Sequence, residues 1–186
     1  MSFGQIRLGN GPASFGLISR VIHWLMAIGI LFMLGLGLSI ARMQPGLANL
    51  WLYSLHKTIG LTLLMLVILR LIWHRISPPP APIGAPDWTT YAAKAAHLGL
   101  YALMLCIPLS GWIASSATGI DVMILDRWVI PPIAPVSEAW ENAGFAVHRA
   151  LTKALMALMV LHIAGALNRA WLGDGTLRRM ITGRSA

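Results

Sequence analysis

The six histidines are the side chains of this sequence best suited to redox or metal chemistry. His148 and His162 are fourteen residues apart. On one helix that spacing is about 1400°, about 40° short of four full turns, so both side chains would project from the same face. Their separation along the helix axis would be about 21 Å. One helix would therefore offer two imidazoles at two depths.

Each of these two histidines has a candidate partner at a similar depth on another apolar segment. His56 lies near the same end as His148, and His23 lies on the same half as His162. Imidazole is a standard axial ligand of haem iron, and the interior of a helix bundle is a common place for such a site. Each pair is therefore a candidate set of metal ligands for one haem iron. His97 is an alternative partner for His162, because it lies at the beginning of the third apolar segment, on the same half of the predicted membrane region.

The competing interpretation is that a histidine at the end of an apolar segment contacts only the membrane interface. This interpretation is favoured for His74, and for His97 both interpretations stay open. His162 is too deep for the interface, and a polar side chain at that depth is costly unless it is paired. Gly60 and Gly165 lie within one turn of candidate ligands and would permit close approach of a porphyrin, although glycine is common in membrane helices.

Composition limits the class of protein. The chain has 186 residues, of which 57% are apolar and 11% are charged, whereas a soluble domain has about 45–50% and about 25%. A soluble enzyme and a disordered tail are therefore disfavoured. The single cysteine, Cys106, excludes an intramolecular disulfide, covalent C-x-x-C-H haem attachment and a cysteine-based zinc or iron–sulfur site within the chain.

Four segments are apolar over the length of about 20 residues that a transmembrane helix needs. The sequence therefore predicts an all-α integral membrane protein, a four-transmembrane-helix bundle in a single membrane domain of residues 1–186. Ser137 and Glu138 have the residue types that begin a helix, which would run into the fourth span. Residues 1–19 lack the apolar core of a signal peptide. The expected spans and outer loop are residues 20–41, 54–74, 96–117 and 147–171, with the loop at 118–146.

The distribution of Lys and Arg predicts the orientation, because cytoplasmic loops of membrane proteins carry an excess of these residues. Both termini are expected in the cytoplasm, so the net charge of +8 needs no nucleic-acid partner to explain it. Nine cations fall on the predicted cytoplasmic side: Arg7, Arg20, Arg70, Arg75, Lys94, Arg169, Arg178, Arg179 and Arg184. Five fall on the other side: Arg42, Lys57, Arg127, Arg149 and Lys153.

Several short motifs together resemble the bacterial cytochrome b561 family, which is related to the cytochrome b subunits of nickel-iron hydrogenases. The order and spacing of the motifs, rather than any single one, carry the resemblance, which covers nearly the whole chain. The motifs are R-V-I-H-W in the first span, H-K-T-I-G in the second, H-L-G-L-Y and I-P-L-S-G in the third, two histidines separated by thirteen residues in the fourth, and D-G-T-L-R-R-M near the C-terminus.

The resemblance implies a di-haem b electron-transport protein of the bacterial inner membrane. Members of the family pass electrons between a periplasmic-side donor and the quinone pool, and some are described as superoxide oxidases that reduce ubiquinone. Carried over to this chain, His23 and His162 would hold the cytoplasmic-side haem, and His56 and His148 the periplasmic-side haem. His97 also matches a family histidine, which implies a role near the inner haem or the quinone.

Cations near the candidate ligands have two interpretations. Lys57, Arg149 and Lys153 lie close in sequence to the outer histidines. They would either attract a small anionic donor such as superoxide or pair with haem propionates. On the cytoplasmic side, His74 and His97 are candidate proton relays. Four side chains there are available for propionates or a quinone headgroup: Arg20, Arg70, His74 and His97.

Two other classes of protein are compatible with parts of this pattern. A cytochrome b membrane-anchor subunit would receive electrons from a partner dehydrogenase or hydrogenase, and the apolar outer residues Trp128, Ile130 and Trp140 are consistent with such a partner. A metal or proton transporter would combine intramembrane histidines with Asp or Glu. No predicted span contains a central carboxylate, so the transporter interpretation is disfavoured.

Overall fold

The computed structural model describes residues 7–44, 46–84 and 88–183. Arg184, one of the predicted cytoplasmic cations, lies outside these residues. Within the described ranges the long helices are α1 (Leu17–Ile40), α2 (Leu50–Ile76), α3 (Trp88–Ala117) and α4 (Glu138–Trp171). The shorter elements are a 3-10 turn (Leu47–Asn49), strands β1 (Val122–Ile124) and β2 (Trp128–Ile130), and helix α5 (Thr176–Thr182).

The four long helices are each long and apolar enough to cross a membrane. Their large apolar side chains face outward in many places: Ile28, Met65 and Val160 are 65%, 63% and 66% exposed. A bundle that turns such residues to its surface is stable in lipid, where outward apolar residues carry no penalty. The chain is therefore a multi-pass membrane protein. Cys106 is likewise exposed, on α3.

Each helix extends beyond the segment expected from hydropathy, since a helix can continue past the hydrocarbon region. The extension is largest in α4, which begins at Glu138 directly after an extended Ser137, as the sequence predicts. The N–H of Ser137 donates to the carbonyl of Ala117 at 3.1 Å, so this hydrogen bond joins the end of α3 to the beginning of α4. The first turn of α4 carries Glu138 and Glu141, and acidic residues there stabilise the helix dipole.

Neighbouring helices pack in chain order. α1 contacts α2, α2 contacts α3, and α3 lies along α4 in the most extensive pairing. A Cβ added at Gly144 would lie 2.8 Å from the Cβ of Ala114, so this glycine permits the close approach of α3 and α4. In the described part of the chain, the α4 backbone hardly approaches those of α1 and α2. Side chains rather than close backbone packing therefore connect α4 to the first two helices.

Three separate chain segments meet at one end of the bundle. The amide of Asn10 donates to the Ser77 hydroxyl at 2.8 Å, and its side-chain amide donates to the Ser77 carbonyl at 2.7 Å. Arg179 of α5 donates to the carbonyl of Ala81 at 2.8 Å. The N-terminal segment, the α2–α3 connection and the C-terminal helix are thus on the same end, which we call the inner end.

The opposite, outer end carries the antiparallel β1–β2 hairpin, in which Val122 pairs with Ile130. The turn places Leu125 and Asp126 at φ values of 53° and 52°, a left-handed conformation that is unfavourable for leucine and better tolerated by aspartate. The amide of Leu125 donates to the Thr58 hydroxyl at 3.0 Å, and the Ser54 hydroxyl donates to Asp126. The hairpin is therefore fixed to the outer end of α2.

Candidate functional site

The structure brings His56 of α2 and His148 of α4 together near the outer end. Their ring centroids are 6.2 Å apart, with an angle of 71° between the ring planes. Because the backbones of α2 and α4 hardly approach one another, these two imidazoles face each other across the space between the helices. The two residues are the outer pair expected from the sequence.

A hydrogen bond from α3 fixes the orientation of the His148 ring. Nδ1 of His148 lies 2.9 Å from the carbonyl oxygen of Ile107. A carbonyl only accepts hydrogen bonds, so Nδ1 must carry the proton and Nε2 is left with a free lone pair. The Ser110 hydroxyl donates to the same carbonyl at 2.8 Å. A histidine that ligates a metal through one ring nitrogen typically donates a hydrogen bond from the other, as Nδ1 of His148 does to Ile107. That bond sets the tautomer and the orientation of the ring.

Two glycines make room for the outer histidine rings. A Cβ added at Gly37 of α1 would lie 3.3 Å from Cε1 of His56, and one added at Gly111 of α3 would lie 3.1 Å from Cε1 and Nδ1 of His148. Nδ1 of His56 is buried and has no hydrogen-bond partner among the described residues. The outer pair is thus closely fitted on the backbone side and still has an unsatisfied polar atom.

The inner end holds three histidines close together. The ring of His162 is 6.5 Å from that of His23 and 5.3 Å from that of His97, measured between centroids. His97 itself is exposed at the surface of α3. The structure therefore brings both candidate partners to His162, on α1 and α3 respectively.

A hydrogen-bonded chain of three side chains adjoins this cluster. Nε of Arg70 donates to the Tyr101 hydroxyl oxygen at 2.8 Å, and that oxygen is 3.3 Å from Nδ1 of His74. Since the hydroxyl oxygen accepts from Arg70, its own proton is free to be donated to His74. Nε2 of His74 is buried and has no partner in the described part of the chain. Sequence reasoning missed Tyr101, although H-L-G-L-Y places it one helical turn after His97.

The remaining predicted site residues differ in their surroundings. Arg149 and Lys153 are exposed and Lys57 is partly buried. None of the three forms an ion pair with another described residue. Nη1 of Arg20 donates to the carbonyl of Ile181 at 2.7 Å, so this side chain contacts the C-terminal helix. Arg70, in contrast, contacts Tyr101 of α3, and its guanidinium carbon lies 5.9 Å from the centroid of the Tyr101 ring.

The geometry of the paired histidines can be tested against a haem and against a bare metal ion. An imidazole nitrogen lies about 2 Å from the metal that it ligates, so two imidazoles on opposite sides of one iron have ring centroids on the order of 6 Å apart. The described residues contain no group of three or more His, Cys, Asp or Glu that could hold a metal ion. Opposed pairs at 6.2 and 6.5 Å instead fit a metal whose other ligands come from a macrocycle.

Comparisons with known proteins show which family the chain resembles. Residues 14–183 match the family model described as prokaryotic cytochrome b561. The chain is 35% identical over 179 residues to cytochrome b561 homolog 2 of Escherichia coli (strain K12), a match that covers 92% of this chain and 93% of that protein. It is 28% identical over 141 residues to cytochrome b561 homolog 1 of the same organism, covering 69% of this chain and 74% of that protein.

Proposed function

This chain belongs to the prokaryotic cytochrome b561 family of haem-containing electron-transfer proteins, and from that premise we propose that it is a di-haem b cytochrome of the bacterial inner membrane. It takes electrons from a periplasmic-side donor and delivers them to the quinone pool, with ubiquinone as the expected acceptor. The observation that carries the proposal is the pair of opposed imidazoles at each of two depths along α4, His56–His148 at 6.2 Å and His23–His162 at 6.5 Å.

Two observations favour His23 over His97 as the inner partner of His162. The 6.5 Å separation of His23 and His162 is close to that of the outer pair, whereas the rings of His97 and His162 are only 5.3 Å apart. His23 also lies on a helix whose backbone hardly approaches α4, while His97 lies on α3, which packs directly against α4. The wider space favours a macrocycle between α1 and α4.

His56 with His148, and His23 with His162, would each hold one haem b. Haem b held by two histidines would supply reversible one-electron transfer and no oxygen activation. The protein's contribution is to hold the imidazoles: Ile107 fixes the tautomer of His148, and Gly37 and Gly111 let the outer rings lie close to the neighbouring backbones. A site that is held in one geometry before electron transfer needs little rearrangement during it.

The inner end supplies polar groups for a quinone. Arg70, Tyr101 and His74 form a connected hydrogen-bond chain beside the inner histidines. Its donors suit a quinone oxygen, and His74 or His97 suits proton delivery because a neutral imidazole has one nitrogen that donates a proton and one that accepts a proton. We assign quinone binding and proton supply to this inner end, which is the cytoplasmic end in the predicted orientation.

The outer end supplies positive charge for the donor. Lys57, Arg149 and Lys153 have no ion-pair partner among the described residues, so their charge is available to an anion. Superoxide is one small anionic donor that such a surface would attract. Pairing with haem propionates is the second role open to the same cations.

A reduced-minus-oxidised spectrum with haem quantification tests the proposed function. The purified chain should give a b-type spectrum with about two haems per chain, as two bis-histidine sites require. His148→Ala and His162→Ala should each remove one haem, whereas His74→Ala, which alters no proposed ligand, should keep both. A colourless wild-type protein would overturn the proposal.

A second candidate function is that of a membrane-anchor subunit fed by a partner dehydrogenase or hydrogenase. The hairpin at the outer end favours it, since Leu125, Trp128 and Val129 are 64%, 54% and 54% exposed. Such a protein would hold the same haems but would receive electrons from a partner that copurifies with it. Quinone reduction by superoxide with the isolated chain would favour the first function over this one.

A further inference from the structure

The C-terminal helix α5 lies directly against the part of α1 that carries the inner histidine. The motif D-G-T-L-R-R-M, which begins at Asp174 and continues into α5, meets the R-V-I-H-W motif of α1. Nη1 of Arg20 donates to the carbonyl of Ile181 at 2.7 Å, and the indole N–H of Trp24 donates to the carbonyl of Met180 at 3.2 Å. Two sequence motifs at opposite ends of the chain therefore form one contact.

Trp24 connects this contact to His23. The indole and imidazole centroids are 5.4 Å apart, and the ring planes meet at 80°, an edge-to-face arrangement. Such aromatic pairs have a preferred geometry, so the position of one ring restricts the other. The indole is itself held by its hydrogen bond to α5. Movement of α5 would therefore change the support of the His23 ring.

Local contacts fix the beginning of α5. The Asp174 carboxylate accepts hydrogen bonds from the amide and hydroxyl of Thr176 at 2.8 and 3.0 Å. It also forms an ion pair at 3.3 Å with Arg169 at the end of α4. The start of α5 is thus tied to the helix that carries His162.

A buried arginine fixes the rest of α5. Arg179 is only 6% exposed, donates to the carbonyl of Ala81 at 2.8 Å, and places its guanidinium 5.5 Å from the Phe15 ring centroid. Burial holds the pKa of Arg179 below its usual value, and the nearby Asp174 carboxylate offsets part of this effect. A buried cation is costly unless its partners are in place, so this side chain favours one docked position of the helix.

We propose that α5 is a positioning element for the inner histidine pair, and that Trp24 is the positioning residue through which α5 orients His23. The inference rests on the proposed function, because it concerns the His23–His162 pair as haem ligands. Trp24 does not ligate the metal; it acts through His23. Removing the hydrogen bond between Trp24 and α5 should therefore alter the inner haem and leave the outer haem unchanged.

Trp24→Phe tests the proposal, since it keeps an aromatic ring beside His23 and removes the N–H that donates to Met180. Trp51→Phe is the matched control, because Trp51 is an exposed tryptophan near the start of α2, at the other end of the bundle. The readouts are the midpoint potential and the low-spin electron paramagnetic resonance signal of each haem. We expect Trp24→Phe to shift both properties of one haem only, and Trp51→Phe to shift neither.

Met180→Pro provides a second variant that interrupts α5 without changing any residue of the bundle. It should shift the same haem as Trp24→Phe, and assignment of that haem to the inner site comes from its absence in His162→Ala. If both variants bind two haems with unchanged signals, the positioning role is overturned and the proposed function stands. Equal changes in both haems would also overturn it. A wild-type chain without haem would instead overturn the proposed function itself.

Discussion

Gly111 and Gly35 lie in transmembrane helices but have opposite surroundings. A Cβ at Gly111 would lie 3.1 Å from Nδ1 and Cε1 of His148, while a Cβ at Gly35 would meet nothing within 4 Å. We expect Gly111→Ala to displace the His148 imidazole and to lower haem retention from two per chain towards one. Haem-to-protein ratios of the purified variants measure the effect.

Gly35→Ala is the control for this prediction and should retain both haems. Alanine favours a helix over glycine by about 1 kcal/mol, so a loss of haem in Gly111→Ala could not come from lower helix propensity. Unchanged haem content in Gly111→Ala would show that the outer ring has no need of the space above the glycine.

Lys57 is an outer cation that directly follows a proposed ligand, His56, in the sequence. If its charge attracts an anionic donor, Lys57→Gln should slow haem reduction by superoxide by about tenfold at low ionic strength, and the difference should shrink as salt is added. Stopped-flow absorbance measures both rates. Arg42→Gln, which removes another outer cation, should have a smaller effect. A fall in haem content without a salt-dependent rate would favour the propionate role instead.

The pairing of histidines could be predicted because helical periodicity fixes both the face and the depth of a residue. Fourteen residues placed His148 and His162 on one face of α4, and the structure brings rings from other helices to each of them. The hydrogen bond between His148 and Ile107 could not be predicted, since it depends on the rotation of α3 against α4. The choice of His23 over His97 as the partner of His162 could not be predicted either, because it depends on the distances between the helices.

The Thr58 hydroxyl attaches the outer hairpin to α2. A substitution at Thr58 therefore tests how much this attachment contributes. Thr58→Val removes the oxygen that accepts the Leu125 amide at 3.0 Å. We expect it to lower the free energy of unfolding in detergent by about 1 kcal/mol and to speed hydrogen exchange in the hairpin peptide. A variant that exchanges at the wild-type rate would show that other contacts hold the hairpin.

Thr62→Val is the matched control, because the Thr62 hydroxyl donates to the Thr58 carbonyl within the same helix. It changes the same residue type one turn away on α2 without touching the hairpin. It should therefore leave hairpin exchange unchanged.

The long helices were predictable as elements because about 20 apolar residues are a strong signal. The hairpin was expected only as part of an outer loop, although V-M-I and W-V-I contain the apolar and β-branched residues typical of strands. Strands of three residues are too short for such a signal to stand out. Helix α5 has only seven residues, and its position depends on Arg179 and Trp24, whose partners come from distant parts of the chain.

Three segments of the chain lie at the inner end of the bundle, and their shared position leads to a prediction of how the protein is oriented in the membrane. The N-terminal segment, the α2–α3 connection and α5 share the inner end, and we propose that this end, with both termini, is cytoplasmic. With Cys106 replaced by alanine, Arg127→Cys should react with a membrane-impermeant maleimide in intact spheroplasts. Arg178→Cys should react only after lysis. The reverse labelling pattern would overturn the proposed orientation.

At the same scale, four spans were predictable from the sequence, but the unequal spacing of the helices was not. Residue order says which helices are connected, and it does not say that α4 packs against α3 while its backbone stays away from α1 and α2. With that spacing, α4 contributes one histidine to each pair, and the partner histidines come from α1 and α2. We propose on this basis that residues 1–186 act as one membrane domain.

Cys106, exposed on α3, gives the protein a single labelling site from which distances can be measured. Because the sequence has a single cysteine, a nitroxide label attached there would report from one known position without any mutation. Ferric haem relaxes a nearby electron spin, and the strength of that relaxation falls steeply with distance. Comparing wild type with His148→Ala and His162→Ala would then give a separate distance from the label to each of the two proposed haem irons.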